Sequence, residues 1–300
     1  PMIFRSYIAL QGSSYQTFHM DFVVPPFHFS KSTRPRRALT ATPPIGWSWF
    51  FLLLPLLVFS SCGPKKSPKL VIATAANMQF AMTELVDEFS RSAEIPCELV
   101  IGSSGKLTAQ VRAGAPFDVF VSADRRYPEL LYQSGLSTAP PKIYAHGQLV
   151  LWAAAATTPP QLEDLKSDAI QHIAVANPKT APYGLAAEQV LRQHDLYEAV
   201  AAKLVFGESI AQTNQFIISG AAEIGFTALS VVRSAAMQNQ GKWTLIPPEN
   251  HPPIEQGVLV LKQGKAPLSE AEKFAAFLLS DAAKNILDKF GYLTNVETTE

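Results

Sequence analysis

From Leu70 onward, short apolar runs alternate with stretches of helical periodicity, with small residues or Pro at the switches. That alternation restricts the chain to parallel α/β sheets, because a strand followed by a helix returns to its own sheet by a right-handed crossover. Strands are predicted at Leu70–Ala73, Glu98–Ile101, Val119–Val121, Leu149–Ala153, Ile173–Ala176, Ile224–Thr227, Trp243–Leu245 and Gly257–Leu261. Met78, Met82, Leu85, Val86 and Phe89 fall on one side of a helix over Met78–Glu94. Further helices are predicted after Gly105, over Tyr127–Ser134, Gly184–His194, Ser209–Ile218 and Leu229–Met237, and as a broken pair over Ser269–Phe290. Ala145-His146-Gly147 reads as a polar link, and the Pro-rich stretch 247–253 as a return crossing between domains.

The 300 residues, 47% apolar and 17% charged, supply core for one large domain or two modest ones. The zero net charge is unevenly spread. Five basic residues and one acid precede Cys62, leaving 20 basic and 24 acidic residues, a balance of −4, for the remainder. A nucleic-acid binder is excluded on that count, since a phosphate backbone rewards a basic face. Arg34, Arg36 and Arg37 precede an uncharged apolar run, Trp47–Phe59, and then Ser60-Ser61-Cys62. This is the layout of a signal peptide. The run is shorter than the ~20 residues a spanning helix needs, and Pro55 interrupts it. Cys62 after two serines resembles the lipobox of bacterial lipoproteins, with Phe59 where leucine is usual; an uncleaved anchor is the runner-up. The stretch up to about residue 33 has no periodicity and reads as an overextended start. Residues 63–69, rich in Pro, Lys and Ser, form a tether. Cys97 is the second of two cysteines, so no disulfide framework is expected.

Four turns could converge. In open α/β sheets ligands lie beyond the carboxyl ends of strands, where helices begin. Ala75-Ala76-Asn77 follows the first strand and Gly102-Ser103-Ser104-Gly105 the second. Asn177–Gly184 follows Ile173–Ala176, and Gly207-Glu208-Ser209-Ile210 opens a helix. Each has an ordinary explanation: Asn77 and Ser209 as caps, Pro182 as a first helical residue, Tyr183 as packing, Gly102–Gly105 as a tight turn with a serine cap. The other explanation is one anion cradle assembled from all four, because small residues at a helix start let N–H groups approach a ligand.

The same segments carry a family resemblance. Ala73-Thr-Ala-Ala-Asn-Met78, Gly102-Ser-Ser-Gly105, Ala113-Gly-Ala-Pro-Phe-Asp-Val-Phe-Val-Ser-Ala-Asp124, Asn177-Pro-Lys-Thr-Ala-Pro-Tyr-Gly184, Gly207-Glu-Ser-Ile210 and Gly225-Phe-Thr-Ala-Leu-Ser230 resemble the molybdate-binding proteins of bacterial ABC importers. The similarity runs from about Lys69 to Leu293. It implies a type II periplasmic-binding-protein fold, two α/β lobes closing on a tetrahedral oxyanion at a two-strand hinge. The division implied is an N-terminal extension and signal peptide (1–61), a tether (62–68), one lobe from 69–146 with 254–300, and a second from 147–253. By matching position, the ligand is held by Asn77, Ser104, Tyr183 and the N–H of Ile210, with that of Ala76 close by. Ala76 and Ala228 stand near positions where some members carry serine and tyrosine.

The implied function is an extracytoplasmic solute receptor for molybdate, and for tungstate of similar shape, with no cofactor and no catalysis. Its implied partners are an ABC permease with its ATPase and, through Cys62, a membrane; the implied location is the periplasm or cell surface, as a monomeric lipoprotein. A cradle of neutral donors can satisfy a dianion and would reject a protonated phosphate, whose O–H would lack an acceptor. Sulfate is smaller and would stretch some hydrogen bonds. Lys106 and Lys179 lie near the turns and read as solvated lysines. Other oxyanions such as sulfate or thiosulfate are the alternative ligands; a ferric complex is disfavoured, because only Tyr183 of eight tyrosines falls in a candidate turn. A serine hydrolase is a more distant alternative: no Gly-X-Ser-X-Gly elbow, Walker A or zinc-type spacing is present, and the histidines are scattered.

Overall fold

The structure, a computed structural model, describes residues 68–294. Cys62, the signal-like segment and the tether as far as residue 67 lie outside the described residues. Two five-stranded mixed sheets organise the rest. The first has the order β2 (Cys97–Gly102), β1 (Leu70–Ala75), β3 (Val119–Ser122), β10 (Ile254–Val260), β4 (Lys142–Gly147). The second has the order β7 (Leu204–Gly207), β6 (Ile173–Ala176), β8 (Ile224–Ala228), β5 (Leu149–Ala153), β9 (Lys242–Leu245). In each, the first three strands are parallel and the last two join by antiparallel pairing.

The predicted strands were legible because the central ones are covered on both faces. Every residue of β3, β5, β6 and β8 is buried, so each reads as an unbroken apolar or small-residue run. Helix α1 (Gln79–Ala93) buries Met82, Leu85, Val86 and Phe89, while Met78 belongs to the 3-10 turn before it. Phe89 meets Phe274 edge-on, with centroids 5.1 Å apart, which fastens α1 to α8 (Leu268–Phe277). Ser280 caps α9 (Asp281–Lys289) by accepting from the Ala283 N–H, the break expected in the C-terminal helical pair. Shorter helices are α2 (Ser104–Arg112), α3 (Arg126–Gln133), α4 (Pro182–Gln193), α5 (Tyr197–Val200), α6 (Ile210–Ile218) and α7 (Leu229–Val232).

Three expectations need correction. Ala145-His146-Gly147 is not a link but the end of β4, where Tyr144 and Ala145 are buried and His146 exchanges backbone hydrogen bonds with Leu293. Strand β7 was not expected, although Leu204-Val205-Phe206 is an apolar run as long as that of β3; it is an edge strand with Phe206 exposed. Regular helix after Leu229 ends at Val232 rather than Met237. The sheets are joined where β4 passes into β5 over Gln148 and where the Pro-rich stretch, through a 3-10 turn at Pro248–Asn250, returns into β10. These passages run side by side, with Ile254 paired to Gly147.

Candidate functional site

Five strands, β1, β2 and β3 of one sheet and β6 and β7 of the other, deliver their carboxyl ends to one small cavity. Ala75, Ala76 and Asn77 reach it from the turn after β1, and Ser103 and Ser104 from the start of α2. Ala181, Pro182 and Tyr183 come from the start of α4, Ile210 from the start of α6, and Ala123 from the end of β3. The structure thus places all five predicted residues, Ala76, Asn77, Ser104, Tyr183 and Ile210, on a single cavity, each of them buried. The lining contains no charged side chain. What it offers instead is the first turn of several helices, whose N–H groups lack intrahelical partners and carry the positive end of the peptide dipoles.

The side chains divide into those with a proton to give and those already engaged. Ser104 Oγ accepts from the Ala123 N–H at 3.0 Å, so its own proton is left to donate. The buried Tyr183 hydroxyl has no hydrogen-bond partner. Burial holds that phenol well above its usual pKa, the Tyr292 and Tyr144 phenols act in the same direction, and the Asn77 side chain opposes them. Tyr183 therefore keeps its proton throughout the physiological range. Its hydroxyl lies over Gly147, where a Cβ would come within 2.0 Å of it, so only glycine fits there.

Asn77 behaves differently. Its Nδ2 donates to Gln256 Oε1 at 2.8 Å and to Tyr292 Oη at 3.0 Å. Gln256 Nε2 in turn donates to the carbonyls of Ala123 and Ile254, which fixes the orientation of both amides. Asn77 thus spends both side-chain N–H groups on the protein and leaves Oδ1 unpartnered. The expectation of donors alone is corrected accordingly: a residue lining the cavity carries a buried free acceptor, and rejection of a protonated anion does not follow from the donor set. The Asn77 carbonyl accepts from Ser230 Oγ at 2.8 Å and from Tyr292 Oη at 3.1 Å, and those two hydroxyls are 3.1 Å apart. Gln256, Tyr292 and Ser230 were missed from the sequence. The available signal was a glutamine inside an apolar strand, which is fully buried here.

Around the mouth, α2 and α3 of the first sheet's lobe meet the turns of the second. Gly105 N–H donates to Thr180 O at 2.9 Å, and Tyr127 Oη to Lys179 O at 3.0 Å. Lys106 Nζ lies 2.6 Å from Glu208 Oε1, so Lys106 is exposed but paired rather than simply solvated. No histidine lines the cavity, and the partner of Ser104 Oγ is a backbone N–H, which is not the geometry of an activated nucleophile. Among the described residues, no group of three or more His, Cys, Asp or Glu is placed to hold a metal, and no helix is long and apolar enough to cross a membrane.

Comparison with known proteins agrees with this architecture. The family model for bacterial extracellular solute-binding proteins matches residues 70–293. The chain is 38% identical over 226 residues to the molybdate-binding protein ModA of Azotobacter vinelandii, covering 74% of this chain and 88% of that one. It is 35% identical over 243 residues to ModA of Rhodobacter capsulatus, with 79% and 93% covered. The solved structure of the Azotobacter vinelandii periplasmic molybdate-binding protein superposes with a TM-score of 0.71 at 33% identity, over 75% of this chain and 99% of that one. The chain belongs to the bacterial extracellular solute-binding protein family, beside the ModA molybdate-binding proteins.

Proposed function

We propose that the protein is an extracytoplasmic receptor that binds molybdate, and tungstate with it, and passes the ion to an ABC permease and its ATPase without chemical change. The observation that carries this reading is a cavity lined by helix starts from two sheets, with donors and no charged side chain. Such a site suits a compact oxyanion, because preorganised N–H and O–H groups replace the water that would have donated to it. The ligand contacts would be the N–H groups of Ala76, Asn77 and Ile210 and the hydroxyls of Ser104 and Tyr183, with the Asn77 amide holding the floor. In this reading one lobe comprises 69–146 and 254–300, the other 147–253, and they close about the passages near Ala145–Leu149 and Pro252–Gln256.

Calorimetric titration of the purified protein with molybdate, tungstate, sulfate and phosphate tests it. Tight 1:1 binding of molybdate and tungstate, with the smaller sulfate far weaker, is the expected result, and the phosphate titration reports whether the free Asn77 Oδ1 admits a protonated anion. Binding of sulfate without molybdate would overturn the ligand assignment. We further propose that the protein is monomeric and held at the membrane in the periplasm or at the cell surface by a lipid on Cys62. Cys62→Ser should then abolish incorporation of labelled palmitate in cells, and retained label would refute the anchor.

A further inference from the structure

We infer that Gly105, which does not line the cavity, sets how closely the two lobes meet and thereby how long a ligand is held. The inference rests on the receptor reading above. Gly105 is the second residue of α2 and does not have a positive φ, so nothing in its own conformation calls for glycine. Alanine there would favour the helix. What opposes alanine is a side chain on α3 of the same lobe and, more rigidly, the main chain of the other lobe. A Cβ at position 105 would lie 2.7 Å from Tyr127 Oη, 2.9 Å from Thr180 Cα and 3.0 Å from Thr180 O. Two of those atoms belong to main chain in the turn that leads into α4, and main chain cannot swing aside as a side chain can.

Gly105 also donates its N–H to Thr180 O, a main-chain hydrogen bond across the cleft. On its flanks lie the Tyr127–Lys179 hydrogen bond and the Lys106–Glu208 ion pair, which also join the lobes. The bare backbone of Gly105 is therefore the point about which three mouth contacts form together. A methyl group would act as a wedge, lengthening all three and separating Ser104 from Tyr183 across the cavity. Affinity is set in part by a residue with no place in the ligand's contact shell.

Gly105→Ala in the full-length protein tests this. Molybdate affinity should fall about tenfold or more, with the loss in the release rate measured by stopped-flow displacement rather than in association. The thermal midpoint of the unliganded variant should stay level or rise, since helix propensity improves. Tyr127→Phe, which removes one flanking contact and no main-chain bond, should quicken release less than Gly105→Ala does. Unchanged release from Gly105→Ala overturns the inference. So does a lowered unliganded midpoint that tracks the affinity loss, because the glycine would then serve the fold. If the unaltered protein fails to bind molybdate, the receptor reading falls and this inference with it; if it binds and the variant matches it, the inference falls alone.

Discussion

The lobes meet on two sides of the cavity, and the two sides are built from different materials. On the floor, Asn77, Gln256, Tyr292 and Ser230 form an uncharged hydrogen-bonded cluster, each at most 3% exposed. At the mouth, the Lys106–Glu208 pair is about half exposed on both partners (51% and 54%), and its neighbours are single hydrogen bonds. A buried polar network is costly to open, because every group freed inside the protein loses its partner without gaining water. An exposed ion pair opens at little cost, because water replaces what is lost. In the proposed closure, the floor is the side that resists opening and the mouth the side that yields.

The largest effect should come from alkaline pH, acting through the buried phenols. Burial raises the pKa of Tyr144, Tyr183 and Tyr292 above the ordinary phenol value of 10, so all three stay protonated in the folded state. In the unfolded chain they ionise near pH 10, and that chain then binds fewer protons than the folded one. Stability is thus fully present below pH 10 and declines as pH rises beyond it. Urea midpoints should hold up to about pH 9.5 and fall increasingly beyond about pH 10, and a flat profile up to about pH 11 would mean these phenols are not dry. Next in size, Gln256→Leu strands the carbonyls of Ala123 and Ile254 and the Asn77 amide, and should cost about 3 kcal/mol of stability by urea unfolding.

Ser104→Ala sharpens the comparison from the ligand's side. It should weaken molybdate binding by about 1.5–3 kcal/mol in calorimetry, and, because it strands the buried Ala123 N–H, should cost about 1–2 kcal/mol in urea unfolding, less than Gln256→Leu. The smallest effect belongs to the mouth. Replacing Lys106 with Met and Glu208 with Gln together should alter stability by less than about 1 kcal/mol, and high salt should erase the difference. A loss as large as that of Gln256→Leu would erase the distinction between the two sides.

The difference between floor and mouth also marks what could be read from the sequence. The central strands and the turns that follow them are local: an apolar run and the small residues after it announce themselves over ten residues. The turns that carry Ser104, Tyr183 and Ile210 were legible that way; the choice of those residues within them came from the family resemblance. The floor is not local. Asn77 meets Ser230, Gln256 and Tyr292 across 153, 179 and 215 positions of chain, and no periodicity links them. Strand β4 was hidden for a related reason, since its burial comes from β10 and from the C-terminal segment that carries Leu293. The orientation of the Asn77 amide, which decides whether it donates or accepts, is set by carbonyls in two other strands' neighbourhoods and is invisible until they are placed.

The cavity wall has a consequence for how such a protein can vary. In the proposed contact set, only Ser104 and Tyr183 contribute side-chain atoms; the remaining donors are N–H groups that every residue except proline carries. Substitution at Ala76 or Ile210 can change shape but cannot delete a donor, apart from one kind of replacement. The recipe for the site is therefore stored mainly in where the helices start, a property maintained by the strands and glycines behind them. Selection can hold that recipe constant while most of the letters that spell it are exchanged.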